Sequence, residues 1–224
     1  MKIAIITPAY NEEKIIGKFI RNISKVKYPV YIVDDGSTDN TQKVLSEFQI
    51  PNYKLQILKH SVNLGKGAAM KTGADAAFSE GYDAVIFMDS DGQHDLNDLP
   101  KFTEKLEKGY DIVYGSRNMG MGVPLVRYIG NKFESLLISF LFGLYVSDVL
   151  CGYRALSKKA YKKIRWESSG YAVETEMVIR AAKSGLKYCE VPVATLYLDV
   201  FKGVSIMDAV GILFDIFRWR IKLP

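Results

Sequence analysis

The sequence has few cysteines and no long apolar run. Its two cysteines, Cys151 and Cys189, have the spacing of neither a zinc site nor a disulfide framework. We therefore expect two buried or inert thiols in a reducing compartment. The longest apolar run, residues 136–146, is much shorter than the roughly 20 residues that span a bilayer. We expect no transmembrane segment.

Signals for export, dinucleotide binding and nucleic-acid binding are also missing. The apolar stretch at residues 2–8 is too short for a signal peptide. No Gly-x-Gly-x-x-Gly follows the first strand-like run, which argues against a dehydrogenase. The net charge is +5, from 30 basic and 25 acidic residues, without an Arg/Lys-rich block. This excess is too mild to indicate nucleic-acid binding, but it suits phosphate-bearing ligands or an anionic membrane surface.

Strand-like and helix-like patterns alternate through the first half of the chain. Apolar runs at residues 3–7, 30–33, 56–59 and 84–88 alternate with helical patterns at residues 12–26, 38–48 and 67–80. The second half is less regular, with predicted strands at residues 112–114 and 188–193 and predicted helices at residues 131–145 and 172–184. The alternation predicts an α/β protein with a mostly parallel sheet, helices on both faces and ligands at the carboxyl ends of the strands.

An acidic motif, Asp89-Ser90-Asp91-Gly92-Gln93, follows the fourth apolar run. Two carboxylates this close repel each other unless a cation neutralises them. Their hard oxygen atoms suit Mg²⁺ or Mn²⁺. Asp-Gly is also common in solvated turns, so the motif alone leaves both interpretations open. Its position after a buried strand favours a metal site.

Polar residues also follow the second run. Asp34 and Asp35 precede Gly36 and Ser37, and Ser37 is a plausible cap for the next helix. Capping does not explain two adjacent carboxylates at a strand end. A carboxylate there can accept hydrogen bonds from a base imide or a ribose hydroxyl.

Two further motifs stand at the starts of predicted helices. After the first run, Tyr10 offers a flat ring for a base, and Asn11 and Glu12 suit a helix N-terminus. The segment Asn63-Leu64-Gly65-Lys66-Gly67 opens another helix, where glycines, a lysine and a helix N-terminus can hold a phosphate. It does not have the P-loop spacing.

Together, these motifs resemble those of one family. Pro-Ala-Tyr-Asn-Glu-Glu, Val-Asp-Asp-Gly-Ser-Thr-Asp, Asn-Leu-Gly-Lys-Gly, Asp-Ser-Asp-Gly-Gln and Gly-Ser-Arg-Asn follow the order found in family 2 glycosyltransferases. The closest resemblance is to the dolichol-phosphate mannose synthase and dolichol-phosphate glucosyltransferase branch, over nearly the whole chain. It implies a GT-A fold, a nucleoside-diphosphate sugar donor, Mg²⁺ or Mn²⁺, and inversion at the anomeric carbon.

The resemblance also implies which residues form the donor side. The nucleotide-sugar candidates are Pro8, Tyr10, Glu12, Asp35, Lys66, Asp89 and Ser90. The metal candidates, which would bridge to the donor diphosphate, are Asp89, Asp91 and Gln93. Departure of a nucleoside diphosphate builds negative charge on its oxygens, and a metal stabilises that charge as it forms.

On the acceptor side, the resemblance implies that an arginine faces the phosphate of a polyprenyl phosphate. The candidates for contacts to this phosphate are Arg117, Arg154, Lys202 and Ser205. A bidentate contact from Arg117 is the strong form of such binding, and a surface ion pair is the alternative. Gly203 and Val204 separate Lys202 from Ser205 where the family has a Lys-Ser pair, so this sequence departs from the family pattern there.

The need for a catalytic base depends on the acceptor. A hydroxyl acceptor requires a general base, for which Glu176, Glu174 and Asp148 are candidates. A phosphate acceptor is already an anion and needs only positioning and charge neutralisation. Residues two apart on a helix do not share a face, so we expect one of Glu174 and Glu176 to face the site. We predict Glu176 to be catalytic, together with Asp91 and Arg117.

Other functions stay open at this point. One is sugar transfer to a glycan or another hydroxyl acceptor, and a second is nucleotide-sugar binding by a decayed, non-catalytic site. The intact Asp89, Asp91, Gln93 and Arg117 argue against decay. The residues Glu174-Thr175-Glu176-Met177 favour UDP-glucose slightly, by resemblance only.

We predict a single GT-A catalytic domain over residues 1–224. Its parts are a nucleotide-sugar and metal half, an acceptor half and an amphipathic C-terminal helix, at residues 1–118, 119–205 and 206–222. The helix either packs on its own domain or lies on a membrane surface with Arg218, Trp219 and Arg220 at the interface. We expect a peripheral protein at the cytosolic face of a membrane.

Overall fold

The computed structural model describes residues 1–48, 55–117, 125–194 and 206–222, without the side chains of Arg127 and Ile206. The strands in these residues are β1 (Ile3–Ala9), β2 (Val30–Asp34), β3 (Leu55–Lys59), β4 (Ala84–Phe87), β5 (Ile112–Arg117), β6 (Arg154–Ser157) and β7 (Tyr188–Val193). The α-helices are α1 (Ile16–Ile23), α2 (Thr41–Glu47), α3 (Lys66–Ser79), α4 (Leu99–Glu107), α5 (Leu125–Phe142), α6 (Lys158–Ile164), α7 (Val173–Ser184) and α8 (Ile206–Lys222).

The strands form one sheet in the order β3-β2-β1-β4-β6-β5-β7. Neighbouring strands are parallel except at β6, which is antiparallel to both β4 and β5. The carboxyl ends of β1, β2, β4 and β5 therefore meet at one edge of the sheet. In sheets of this kind, that edge is where ligands bind.

The central strands carry apolar side chains on both faces. In β1, Ile3 and Ile5 join a core that includes residues of α1 and α4, whereas Ala4 and Ile6 join a core built with α3, α5, α7 and α8. Burial on both faces explains why these strands are almost continuously apolar. The predicted mostly parallel sheet between two layers of helices is confirmed.

Some elements differ from the prediction in position or were not predicted. Strand β6 was missed because it begins with a buried arginine, Arg154, which interrupts the apolar pattern that marks a strand. Helices α4 and α6 were missed as well. Helix α5 spans Leu125–Phe142 rather than residues 131–145. Helix α1 begins at Ile16 rather than at residue 12, because Asn11 has a φ of 53° and Ile15 closes a turn by donating to the Glu12 carbonyl.

Helix α8 packs on its own domain through Ile212, Ile216 and Trp219, which join the core with α5 and α7. The placement of Trp219 at a membrane interface is therefore wrong, because this side chain is only 4% exposed. Arg218 forms an ion pair with Asp215 at 2.9 Å. Within the described ranges, no helix combines the length and apolar character needed to span a bilayer.

Candidate active site

The segments that follow β1 and β2 are tied to each other by side chains. The Asn11 side-chain oxygen accepts from the Thr38 N–H at 2.9 Å, and the Asn11 N–H donates to the Ser37 hydroxyl at 3.0 Å. The prediction that Ser37 caps α2 is wrong, because its hydroxyl is directed to Asn11. The Asp39 carboxylate instead accepts from the Thr41 N–H, at 2.9 Å, where α2 begins.

The nucleoside candidates on β1 and just after it lie at this edge. Pro8 is half-buried within β1, and the Tyr10 side chain is 43% exposed. The Glu12 N–H donates to the Thr41 hydroxyl at 2.7 Å, which fixes the turn that follows. The exposed ring of Tyr10 is free of the core and can present a flat face to a base.

Asp35 uses both of its carboxylate oxygens to bind protein groups. Oδ1 accepts from the Leu64 N–H at 3.0 Å and lies 2.7 Å from Nδ1 of His60, and Oδ2 accepts from the Gly65 N–H at 2.8 Å. His60 also contacts the Thr72 hydroxyl at 2.9 Å. His60 was not predicted as a site residue, and its position directly after β3 was the only signal. Asp35 thus anchors the segment before α3 to the end of β2.

The carboxylate of the adjacent Asp34 is hydrogen-bonded through only one of its two oxygens. Its Oδ1 accepts from the Ser37 N–H at 3.0 Å. Its Oδ2 is buried and has no hydrogen-bond partner among the described residues. A buried acceptor without a donor is costly, so a donor from a ligand would relieve it. Asp34 therefore joins Asp35 as a candidate for nucleoside binding.

The N-terminus of α3 is closed by another loop of the protein. The N–H groups of Gly67 and Ala68 donate to the Ser169 carbonyl at 2.5 and 3.2 Å. A Cβ at residue 67 would collide with the Ser168 carbonyl oxygen, so this close approach requires glycine. The hypothesis that this helix N-terminus holds a phosphate is wrong for this structure, because a carbonyl oxygen already accepts from its N–H groups.

Lys66 lies between two carboxylates. Its Nζ is 2.7 Å from Oδ1 of Asp89 and 2.8 Å from Oε1 of Glu174. Burial by itself would lower the pKa of Lys66, but the two carboxylates outweigh it and hold the pKa above its ordinary value. A Cβ at Gly152 would collide with Oδ2 of Asp89, so the glycine admits this carboxylate. Lys66 is therefore a permanent internal cation of the site.

The acidic motif gathers negative charge around this lysine. Burial raises the pKa of Asp91, and the charge of Asp89 raises it further. Burial acts on Asp89 in the same direction, but Lys66 and His94 hold the pKa of Asp89 well below its usual range. The His94 Nε2 is 3.4 Å from Oδ2 of Asp89, a contact that the sequence analysis missed. Ser90, between the two carboxylates, is buried.

The chemistry of the acidic motif fits a divalent cation. Asp89 and Asp91 offer carboxylate oxygens, and the Gln93 N–H donates to Oδ1 of Asp91 at 2.9 Å, which places Gln93 beside them. Within the described residues, no three His, Cys, Asp or Glu side chains gather into a site for a metal ion. Mg²⁺ commonly binds proteins through one or two carboxylates and takes its other ligands from waters and substrate phosphates. Asp89 and Asp91 would provide a site of this type, with two protein carboxylates and positions left for water and substrate phosphates.

On the acceptor side, Arg117 is oriented by a carboxylate. Its Nε and Nη2 donate to the two oxygens of Asp148 at 2.7 and 2.8 Å, and the Asn131 amide donates to the same carboxylate at 2.9 Å. The Arg117 side chain remains 24% exposed, whereas Asp148 is buried. Two of the other predicted phosphate contacts, Lys202 and Ser205, lie outside the described residues.

Glu176 is held by a loop and by its own helix. Its carboxylate accepts from the backbone N–H groups of Glu167 and Ser168 and from Arg180. Burial would raise the pKa of Glu176, but these donors outweigh it and hold the pKa below its ordinary value. A carboxylate with so many donors is a weak base, so these contacts give Glu176 a structural role. Glu174, through Lys66, is the one of the two glutamates that contacts the site.

Arg154 is buried and donates to carbonyl groups of the protein. Its guanidinium contacts the carbonyls of Cys151, Val149 and Glu174 at 2.6 to 3.1 Å, and its side chain is buried against the Tyr114 ring. These contacts assign Arg154 to holding the loop before β6 against α7. We therefore leave Arg154 out of the proposed acceptor site.

A third buried glutamate, Glu134 on α5, was not predicted from the sequence. It accepts a short hydrogen bond from the Thr175 hydroxyl on α7. Burial raises the pKa of Glu134 to about 7; the Thr175 bond opposes this shift, and the charge of Glu174 adds to it. The available signal was a single acidic residue inside an apolar helical pattern.

The protein has the GT-A fold. The chain superposes on glucosyl-3-phosphoglycerate synthase from Mycobacterium tuberculosis, crystallised with Mn²⁺, uridine diphosphate and phosphoglyceric acid, with a TM-score of 0.73. The superposition covers 100% of this chain and 79% of the other, at 20% sequence identity. At that identity, the likeness concerns the fold.

Sequence comparison then defines the family. Residues 4–165 match the family profile "Glycosyl transferase family 2", and the chain belongs to this family. It is 34% identical to UDP-N-acetylglucosamine--dolichyl-phosphate N-acetylglucosaminyltransferase of Methanococcus voltae, covering 92% of this chain and 90% of that protein. It is 28% identical to polyprenol monophosphomannose synthase of Mycolicibacterium smegmatis, covering 97% and 86%. The protein is thus a glycosyltransferase with relatives among the polyprenyl-phosphate sugar transferases.

Proposed function

We propose that this protein transfers a hexose from a UDP- or GDP-sugar to a polyprenyl phosphate, with Mg²⁺ or Mn²⁺ and with inversion at the anomeric carbon. The names of both relatives include a polyprenyl or dolichyl acceptor. The more similar of the two is named for a UDP-sugar, which favours UDP over GDP in the donor. Transfer takes place at the cytosolic face of a membrane, where such lipids present their phosphates.

The proposal depends on the state of the three carboxylates considered as bases. Glu176 accepts three hydrogen-bond donors from the protein, Asp148 is held by Arg117 and Asn131, and Glu174 lies 2.8 Å from the Lys66 ammonium. Each is committed to a cation or to N–H groups, and none is poised to take a proton from a hydroxyl. A phosphate acceptor needs no such base because it is already ionised.

The donor side binds and orients the nucleotide sugar. Asp34 and Asp35 at the end of β2, with the ring of Tyr10, hold the nucleoside. Asp91 and Asp89 would hold the divalent cation, which, when bound, stabilises the negative charge of the departing diphosphate. The raised pKa of Lys66 keeps its ammonium protonated, so Lys66 adds a positive charge beside the same diphosphate.

The acceptor side positions the nucleophile. Arg117, fixed in orientation by Asp148, binds the acceptor phosphate and directs one of its oxygens at the anomeric carbon. Holding both reactants in line replaces a bimolecular encounter by a positioned one. A single displacement of this kind inverts the configuration at the anomeric carbon.

The test measures transfer from UDP-glucose, UDP-N-acetylglucosamine and GDP-mannose in parallel, each with Mn²⁺. The acceptors are a short-chain polyprenyl phosphate, the matching polyprenol without phosphate, and free sugars. We expect product only with the phosphate, and most product from a UDP-sugar. Transfer to sugars or to the polyprenol, without transfer to the polyprenyl phosphate, would overturn the proposal and favour a hydroxyl acceptor.

A further inference from the structure

Helix α8 has two apolar stripes on opposite faces. Its inward stripe consists of the buried Ile212, Ile216 and Trp219. Its outward stripe consists of exposed residues spaced three and four apart, namely Met207, Val210, Phe214, Phe217 and Ile221. At about 100° per residue, the two stripes lie roughly 180° apart. A helix that is apolar on two opposite faces is suited to apolar surroundings on both sides.

Helix α5 also carries an outward apolar stripe, although its inward face is mostly polar. Its inward face carries the buried Asn131, Glu134, Ser135 and Ile138. Its outward stripe consists of Ile129, Phe133, Leu136 and Phe140, again spaced three and four apart, and Phe140 is 87% exposed. Of the nineteen large hydrophobic side chains exposed among the described residues, twelve lie on α5 and α8. A concentration of this kind marks an interaction surface rather than ordinary surface scatter.

The two outward stripes belong to one surface. Helices α5 and α8 contact each other, and both pack on α7. Their outward stripes therefore point away from the same core. We infer that these stripes form a docking face for a lipid bilayer, defined by Ile129, Phe133, Leu136 and Phe140 of α5 and by Val210, Phe214 and Phe217 of α8.

The residues next to this docking face favour a bilayer as its partner. The inward side of α5 carries Asn131, which donates to Asp148, the carboxylate that orients Arg117. One helix thus joins the proposed phosphate site to the apolar surface. Exposed cations, Arg220 and Lys222, follow the stripe at the end of α8, where they can reach anionic headgroups. The choice of a lipid rests on the proposed function, since its acceptor is anchored in a membrane.

The first experiment is co-flotation of the full chain with vesicles of phosphatidylcholine alone or with phosphatidylglycerol. We expect the wild type to float, and to float more completely with phosphatidylglycerol. The double variant Phe140→Glu/Phe214→Glu should lower the bound fraction by about tenfold or more, because charges replace two exposed phenyl groups that would enter the bilayer. The matched control is Ile57→Glu, which changes a side chain that is 40% exposed on the edge strand β3 and should float as the wild type does.

Two results would overturn the docking face. One is a wild type that remains in the aqueous fraction with both kinds of vesicle. The other is a double variant that floats as well as the wild type. If the wild type is a dimer in sedimentation, fails to float and becomes monomeric on Phe140→Glu/Phe214→Glu, the face is occupied by a second copy and the inference is wrong. Unchanged donor binding by the double variant would confirm that it is folded.

A second measurement separates this inference from the proposed function. Transfer is assayed to a short-chain polyprenyl phosphate in solution and to a long-chain one in vesicles. We expect Phe140→Glu/Phe214→Glu to keep the first activity and to lose about tenfold or more of the second. Flotation without transfer to either acceptor refutes the proposed function and keeps the docking face. Transfer in solution without flotation supports the proposed function and refutes the docking face.

Discussion

The donor and acceptor sides of the site both contain an internal ion pair, but their charges balance differently. On the acceptor side, Arg117 meets the single carboxylate of Asp148. On the donor side, one cation, Lys66, stands among three carboxylates, those of Asp89, Asp91 and Glu174. The donor side therefore has an excess of negative charge that is costly to keep in a partly buried site. A bound cation would offset this excess, whereas on the acceptor side the charges of Arg117 and Asp148 balance each other.

The largest effect is expected where the excess charge is removed. Asp91→Asn should abolish metal-dependent donor binding and lower kcat/KM by at least about a hundredfold, because a carboxylate ligand is lost from the pair. Isothermal titration with the UDP-sugar, with and without Mn²⁺, measures the binding. Asp95→Asn is the control, since Asp95 lies in the same loop and caps the Asn97 N–H. Donor affinity that still rises with Mn²⁺ in Asp91→Asn would contradict the assignment of the metal to the acidic motif.

The acceptor side should respond differently to loss of its cation. Arg117→Ala should raise the KM for polyprenyl phosphate by about ten- to a hundredfold, the value of a charge-assisted hydrogen bond, and should leave donor affinity unchanged. Arg117→Lys should recover little, because an ammonium cannot bind a carboxylate and a phosphate with a planar fork. Steady-state kinetics with either substrate varied gives both values.

The control for Arg117 is an arginine in a more exposed ion pair. Arg165→Ala removes a contact with Asp75 at 2.7 Å and should change neither constant. If Arg117→Ala weakened the donor as much as the acceptor, the division of the site into two sides would be wrong.

The strand ends of the donor side were predictable from the sequence, and the partners of the polar residues at these ends were not. A buried parallel strand is a short apolar run, and the polar residue that follows it must lie at the sheet edge. This reasoning located Asp35 and Asp89 correctly. It did not locate their partners, because His60 and Lys66 reach these carboxylates through the tertiary fold. Neither contact can be inferred from the spacing of residues in the sequence.

The roles of polar residues on helices were harder to predict for the same reason. Glu174 and Glu176 are two positions apart, and spacing alone indicated only that one of them faces the site. The structure directs Glu174 to Lys66 and Glu176 to a loop. Arg154 was likewise a candidate by resemblance, and its N–H groups donate to carbonyl groups of the protein. Such choices depend on which backbone groups need a partner after folding.

A smaller and more specific effect is expected for the internal cation itself. Lys66→Met should tighten the binding of Mn²⁺ in the absence of nucleotide by about tenfold, because the competing charge 2.7 Å from Asp89 is removed. The same variant should bind the UDP-sugar about tenfold more weakly when Mn²⁺ is saturating. Electron paramagnetic resonance of free Mn²⁺ and isothermal titration measure the two effects.

A loss of structure would weaken the binding of both Mn²⁺ and the UDP-sugar. Tighter Mn²⁺ binding together with weaker UDP-sugar binding would instead show that Lys66 acts through its charge. Lys71→Met is the matched control, since Lys71 lies on the same helix and donates to the Trp166 carbonyl at 3.2 Å. It should leave both affinities unchanged. Weaker Mn²⁺ binding in Lys66→Met would mean that Lys66 supports metal binding rather than competing with the metal for Asp89.

The smallest effect concerns Glu134, which lies between the two sides. Burial raises its pKa from 4.5 to about 7, so between these values the folded state binds more protons than the unfolded state. The free energy of unfolding should therefore fall as pH rises through this window and level off above it. Glu134→Gln should remove this fall, which is of the order of 2–3 kcal/mol. Urea denaturation at about pH 5 and about pH 8 measures it.

Glu104→Gln provides the control, because Glu104 is an exposed partner of Lys108 and cannot produce such a slope. The result also tests how far the two sides of the site are separate. The charge of Glu174 contributes to the raised pKa of Glu134, so Glu174→Gln should flatten part of the same slope. An unchanged slope in Glu174→Gln would mean that the negative charge of the donor side does not reach α5, and that the two sides are electrostatically independent.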